Sequence, residues 1–170
     1  STGVELWRSD GTTTGTELVE DVNPGPALSL PFGMTNVNGT VFFAAINAAG
    51  SWELRTTDET SAGTALIKEV YRRPDSFTSL AGLLFLAAFD PATGEEVFRS
   101  DGTAAGTMVV RDLNPDPIHA TTAPLTAVGS TLFFGASEPG TGLELWKSDG
   151  TTAGTALVKD IRSGPEGSLA

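Results

Sequence analysis

Cysteine is absent from this 170-residue chain, histidine occurs once, and Lys plus Arg total only 10 against 21 Asp plus Glu. The first absence excludes a disulfide scaffold, thiolate metal sites and a cysteine nucleophile. It fits either a reducing compartment or an exported bacterial protein built without disulfides. The shortage of basic residues leaves a formal charge of -11. That charge repels phosphate backbones and anionic lipid headgroups, so nucleic acid and membrane surfaces are poor partners. No apolar run approaches the ~20 residues that span a bilayer, which argues against membrane insertion, and nothing reads as a signal peptide. No stretch carries apolar residues at i, i+3, i+4 and i+7 without a breaker, so helix should be scarce. The 20 Gly and 10 Pro fall below the level that marks low-complexity chains, and a chain of this length can bury about two-thirds of its unfolded surface.

What is present is a repeat. Glu5-Leu6-Trp7-Arg8-Ser9-Asp10-Gly11-Thr12 returns at Glu53 to Thr60, at Glu96 to Thr103 and at Glu144 to Thr151, with the aspartates at Asp10, Asp58, Asp101 and Asp149. A second Gly-Thr pair follows each time, beginning at Gly15, Gly63, Gly106 and Gly154, and then an apolar run ends in a carboxylate. Copy two departs from the pattern, with Arg55 in the Trp position and Glu59 in the Gly position.

Each unit reads as strands and turns: short runs rich in Val, Phe, Leu and Thr between Gly, Pro, Asn and Asp clusters. One unit should hold four strands, near Gly33 to Val37, Val41 to Ala45, Glu53 to Thr57 and Ala65 to Val70. Consecutive Phe42 and Phe43 place a ring on each face of their strand, which requires apolar cover on both sides. Repeated four-stranded antiparallel units predict an all-β, β-propeller-like repeat array of about three and a half blades. A stacked β-solenoid and a β-sandwich are the rivals. The expected organisation is a single repeat domain over 1–170, with a half repeat at 5–22, repeats near 31–70, 76–113 and 124–161, and a tail at 162–170. That amounts to fourteen strands, fewer than four complete blades contain, so closure into a simple monomeric propeller is not expected.

The unit resembles the bacterial repeat family named for its Glu-Leu-Trp-x-x-Asp-Gly-Thr signature, and the copy from Glu144 to Ile161 fits it throughout. The resemblance implies arrays of β-rich repeats on large exported or cell-surface bacterial proteins, and therefore an extracellular or surface location.

The aspartates fall between the third and fourth strands, where a hairpin must reverse. Asp can accept backbone amides across such a turn and Gly supplies positive φ. Asp10, Asp58, Asp101 and Asp149, with Gly15, Gly63, Gly106 and Gly154, are therefore read as turn staples. One carboxylate per loop is too few oxygens for calcium, so no metal and no cofactor is expected. Trp7, Phe98 and Trp146 recur at one register and are expected to wedge neighbouring blades together, with sugar stacking as the competing role. The recurring Glu5, Glu53, Glu96 and Glu144 could suggest a glycosidase acid pair, but identical residues in every copy serve the repeat rather than one active site. A serine nucleophile lacks a base, because the one histidine, His119, sits in a proline-rich connection.

No catalytic residues are therefore assigned. The variable connections are where recognition should reside. The candidates are Trp52, which falls outside the aromatic register, and Asp90, Asp116, His119 and Glu138. The expected function is a non-enzymatic binding or structural module whose partner is another protein or further repeats of the same kind, with self-association. The alternatives are a carbohydrate-binding propeller and, behind it, a glycoside hydrolase fragment.

Overall fold

The computed structural model describes residues 3–114 and 121–168. Its described residues are all strand, turn and loop, without helix. The chain separates into two compact units, Ser1–Arg73 and Pro74–Ala170.

The first unit holds two sheets. Sheet 1 pairs β1 (Leu6–Arg8) with β2 (Glu17–Glu20). Sheet 2 is an antiparallel meander of β3 (Phe32–Val37), β4 (Thr40–Ile46), β5 (Trp52–Thr57) and β6 (Ala65–Val70). The second unit holds two further four-stranded meanders. Sheet 3 runs through β7 (Asp75–Leu80), β8 (Leu83–Asp90), β9 (Gly94–Ser100) and β10 (Met108–Val109). Sheet 4 runs through β11 (Thr121–Val128), β12 (Thr131–Glu138), β13 (Gly142–Ser148) and β14 (Ala156–Lys159). Among the described residues there are fourteen strands, in one two-stranded and three four-stranded antiparallel sheets.

The strands form where they do because turn residues bracket apolar runs. Asn38 and Gly39 both adopt positive φ between β3 and β4, as do Ala81 and Gly82 between β7 and β8. These are the mirror-image turns whose twist suits a two-residue hairpin. In sheet 2 the second strand is the most buried, with Phe43, Ala44 and Ala45 at 0% exposure in β4. A strand hydrogen-bonded on both edges and covered on both faces must be apolar throughout, which explains its non-alternating sequence.

Inside the first unit, Leu6, Val19 and Val22 of sheet 1 and its trailing loop pack against Phe43 and Ala45 of sheet 2. Inside the second, Leu80, Phe85, Val97, Val110 and Leu113 on the sheet 3 side meet Leu132, Phe134 and Trp146 of sheet 4. The two junctions use corresponding repeat positions, with Leu6, Val19 and Val22 matching Val97, Val110 and Leu113.

The aromatic register divides. Trp146 and Phe98 are buried as expected, at 1% and 5% exposure, but Trp7 is 50% exposed. The expectation of burial fails at Trp7, whose ring is half in solvent.

Candidate functional site

The four signature hairpins share one hydrogen-bond network. In the β13–β14 turn, Asp149 Oδ1 accepts the Thr151 amide at 2.9 Å and the Thr151 hydroxyl at 2.7 Å. Thr151 Oγ1 accepts the Gly154 amide at 2.9 Å, the Thr155 hydroxyl donates to the Thr151 carbonyl at 2.7 Å, and Ser148 and Thr155 share a hydroxyl pair at 2.7 Å. Asp10, Asp58 and Asp101 make the same two bonds to Thr12, Thr60 and Thr103. The threonine hydroxyl, then the backbone amide, hold all four carboxyls below the usual aspartate range. The second glycine has a steric reason. A Cβ at Gly15, Gly63, Gly106 or Gly154 would stand 2.0 to 2.1 Å from the aspartate oxygen of its own hairpin.

Glu59 occupies the position of Gly11, Gly102 and Gly150 and takes the same left-handed φ, 74°. The network in its hairpin is intact, so the staple overrides a substitution that costs about 1 to 2 kcal/mol in a non-glycine residue. Its exposed side chain helps line two shallow clefts. One, of about 300 Å³, is bordered by Arg8, Ser9, Asp10, Glu17 and Glu59, and the other, of about 260 Å³, by Leu6, Trp7, Val19, Met34, Val41 and Glu59. Arg8 pairs with Glu17 at 2.7 Å, and that hydrogen bond raises the guanidinium pKa further. The corresponding space in the second unit is filled by the Phe85 ring, which lies 2.7 Å from where a Cβ on Gly150 would be. The clefts were not legible in the sequence beforehand. The one signal was Glu59 breaking the glycine pattern.

The recurring glutamates are buried and tie the following connection to their sheet. Glu5 accepts the Val22 amide at 2.9 Å, the Ser29 amide at 3.2 Å and the Ser29 hydroxyl at 2.6 Å. Glu144 accepts the Arg162 amide at 3.1 Å and the Ser168 hydroxyl. Burial pushes its carboxyl up, but bonds from Ser168, Arg162 and Ile161 outweigh burial and leave the pKa lowered. The Ser29 and Ser168 amides also bond the Val4 and Leu143 carbonyls, at 3.0 and 2.9 Å. Glu53 instead takes Asn47 Nδ2 at 2.7 Å and Arg55 Nη1 at 2.5 Å.

Glu96 differs. Its Oε1 accepts the Leu113 and Asn114 amides at 3.0 and 3.2 Å, while Oε2 is buried without a partner among the described residues. Ala120 stands at the sequence position that Ser29 and Ser168 hold relative to their glutamates. Burial raises the Glu96 carboxyl to about 7, against two backbone bonds that lower it and with help from Asp112. Serines 29 and 168 are thus functional partners that sequence reasoning missed. Their spacing from Glu5 and Glu144, 24 residues in both cases, was the available signal.

Of the recognition candidates, Trp52 is half-buried at the start of β5, its ring edge-on to Phe32 with centroids 5.5 Å apart. The Arg73 guanidinium lies 4.1 Å over the other partner of that pair, Phe32. Asp90 ends β8 and accepts the Ala92 amide at 2.8 Å, shaping its own turn. Glu138 ends β12 at the corresponding position, partly buried, its carbonyl accepting the Thr141 amide at 3.2 Å. Asp116 and His119 lie outside the described residues. No protein-family model, no curated protein and no solved structure matches the chain.

Proposed function

We propose that the chain is a non-catalytic binding or structural module of an exported or cell-surface bacterial protein, a propeller-like array whose variable loops meet a protein partner. The observation that carries this reading is the use of the recurring acidic groups. Every signature aspartate, and Glu5, Glu53 and Glu144, is committed to hydrogen bonds that hold the chain's own turns and loops. Glu96 keeps one oxygen without a partner among the described residues, but at 0% exposure it cannot meet a substrate. A glycoside hydrolase needs two carboxyls facing a bound sugar.

What differs from copy to copy is the connection between second and third strands: 47–51 in sheet 2, 91–93 in sheet 3 and 139–141 in sheet 4. In a meander these turns lie at the sheet end opposite the aspartate hairpins. The resemblance to the signature-repeat family supports the surface location. A protein partner is favoured over a glycan because Trp52, the aromatic beside these turns in sheet 2, is engaged edge-on with Phe32 rather than presented as a flat platform.

The test is site-specific photo-crosslinking in the cells that make the protein. A reactive residue at Asp90 or Glu138 should capture one defined protein, and the same residue at Ala105, exposed in the β9–β10 hairpin, should not. Equal capture from both positions would count against the loop reading. Turnover of model glycosides by the wild-type chain that disappears in Glu144→Gln would overturn the non-catalytic one.

A further inference from the structure

The second unit contains a complete junction between two sheets, and residues of each half of that junction recur elsewhere in the chain at exposed positions. On the sheet 3 side, Val110 and Leu113 are buried against sheet 4, where Trp146 is 1% exposed. Polar bonds frame the apolar contact. Arg99 Nη1 donates to the Gly150 carbonyl at 3.0 Å, Arg111 Nη1 to the Thr155 carbonyl at 2.7 Å, and Thr152 Oγ1 to the Val110 carbonyl at 2.7 Å. The Arg111 guanidinium also lies 5.7 Å from the Trp146 ring centroid.

One repeat later the same donor face stands uncovered. Val158 and Ile161 correspond to Val110 and Leu113, yet Ile161 is 58% exposed where Leu113 is 4% exposed. Val128, counterpart of Leu80, is likewise exposed, and Phe133 and Leu145, counterparts of Phe85 and Val97, are only partly buried. The acceptor face stands uncovered on sheet 1. Trp7, in the Trp146 register, is half exposed beside its cross-strand partner Leu18. Gly11, in the Gly150 register, has open space where Gly150 meets Phe85. Single exposed apolar residues are ordinary, but two faces that are halves of a junction seen complete in the same molecule are not.

We propose that sheet 4 of one copy docks on the Trp7 face of sheet 1 of a second copy, head to tail, reproducing the junction between sheets 3 and 4. Val158 and Ile161 of the first copy cover Trp7 and Leu18 of the second. Lys159 takes the place of Arg111, over the Trp7 ring and toward the Thr16 carbonyl. Lys147 takes the place of Arg99, toward the Gly11 carbonyl, and Thr13 donates to the Val158 carbonyl as Thr152 does to Val110. Both lysines are exposed. The contact joins unlike surfaces, so it builds a closed ring of copies where its rotation closes and an open chain where it does not. Each copy carries a formal charge of -11, so the copies repel over distance and added salt should strengthen association by screening.

Sedimentation velocity over about a hundredfold concentration range tests this. The wild-type chain should show a weight-average mass that at least doubles with concentration, more steeply in high salt. Trp7→Glu and Ile161→Glu each remove one half of the junction, at exposed positions, and each variant alone should stay monomeric. Their equimolar mixture should form a one-to-one complex, because each retains the half that the other lost. Asp90→Ala and Glu138→Ala should associate like wild type, which separates this contact from the proposed loop surface. If circular dichroism shows that either glutamate variant has lost its β spectrum, Leu18→Lys and Val158→Lys replace them. A wild-type mass independent of concentration would overturn the proposal, as would single variants that associate normally or a mixture that remains monomeric.

Discussion

The Asp149 carboxylate oxygen lies 2.1 Å from the point where a Cβ on Gly154 would stand. A hairpin staple and the glycine that makes room for it are therefore one device, repeated four times, and neither residue makes sense alone. Gly154→Ala should destabilise the chain by about 1 to 3 kcal/mol through overpacking. In an Asp149→Ala background most of that penalty should vanish, since the atom being struck is gone. A double-mutant cycle by denaturant unfolding measures the coupling. Chelator should leave the wild-type melting temperature unchanged, because Asp149 Oδ1 is occupied by Thr151.

Glu59→Gly should stabilise the first unit by about 1 kcal/mol, since φ of 74° is strained for glutamate and free for glycine. The gain is measured as a shift in unfolding midpoint, and a loss would mean that the Glu59 carboxylate contributes more than its backbone costs.

The stability of the chain should depend on pH through Glu96. Its folded carboxyl titrates near 7 against an ordinary value of 4.5. Between those values the folded state holds a proton that the unfolded state has released. Stability from this group therefore falls as pH rises from about 4.5 to about 7, and the full penalty is present above 7. Calorimetry at a series of pH values should show that decline in wild type and its absence in Glu96→Gln. The four stapled aspartates act in the opposite sense. Their lowered carboxyls contribute stability above the ordinary aspartate range near 4, lost as pH falls below it.

Ser29→Ala should cost about 1 to 3 kcal/mol, because it strips a hydroxyl donor from the buried Glu5 carboxylate. Hydrogen exchange of the Val22 and Ser29 amides should accelerate, as both donate to that carboxylate.

The two tryptophans of one register should respond very differently. Trp146→Ala removes a fully buried ring from the sheet 3 to sheet 4 junction and should cost about 3 to 5 kcal/mol. Trp7→Ala, at a half-exposed site, should cost no more than about 1 kcal/mol under dilute conditions.

The sequence by itself determined the strands, because hairpin turns are local. A glycine at positive φ, an aspartate two residues before a threonine and an apolar run between them act within one unit, and four copies repeat the same instruction. The bounds of β6, those of β4 and β5 to within one residue at each end, and a half repeat over 5–22 were legible for that reason. Tertiary structure alone decided what faces each copy. Trp7 and Trp146 are the same residue in the same motif, yet Trp146 is wedged between sheets and Trp7 meets solvent, since burial depends on tertiary packing and not on the motif. The raised Glu96 carboxyl follows the same logic. Glu5, Glu96 and Glu144 are indistinguishable in the repeat, and their chemistry diverges because the chain some 24 residues later returns a serine hydroxyl to Glu5 and Glu144, whereas Glu96 Oε2 is buried without a partner among the described residues.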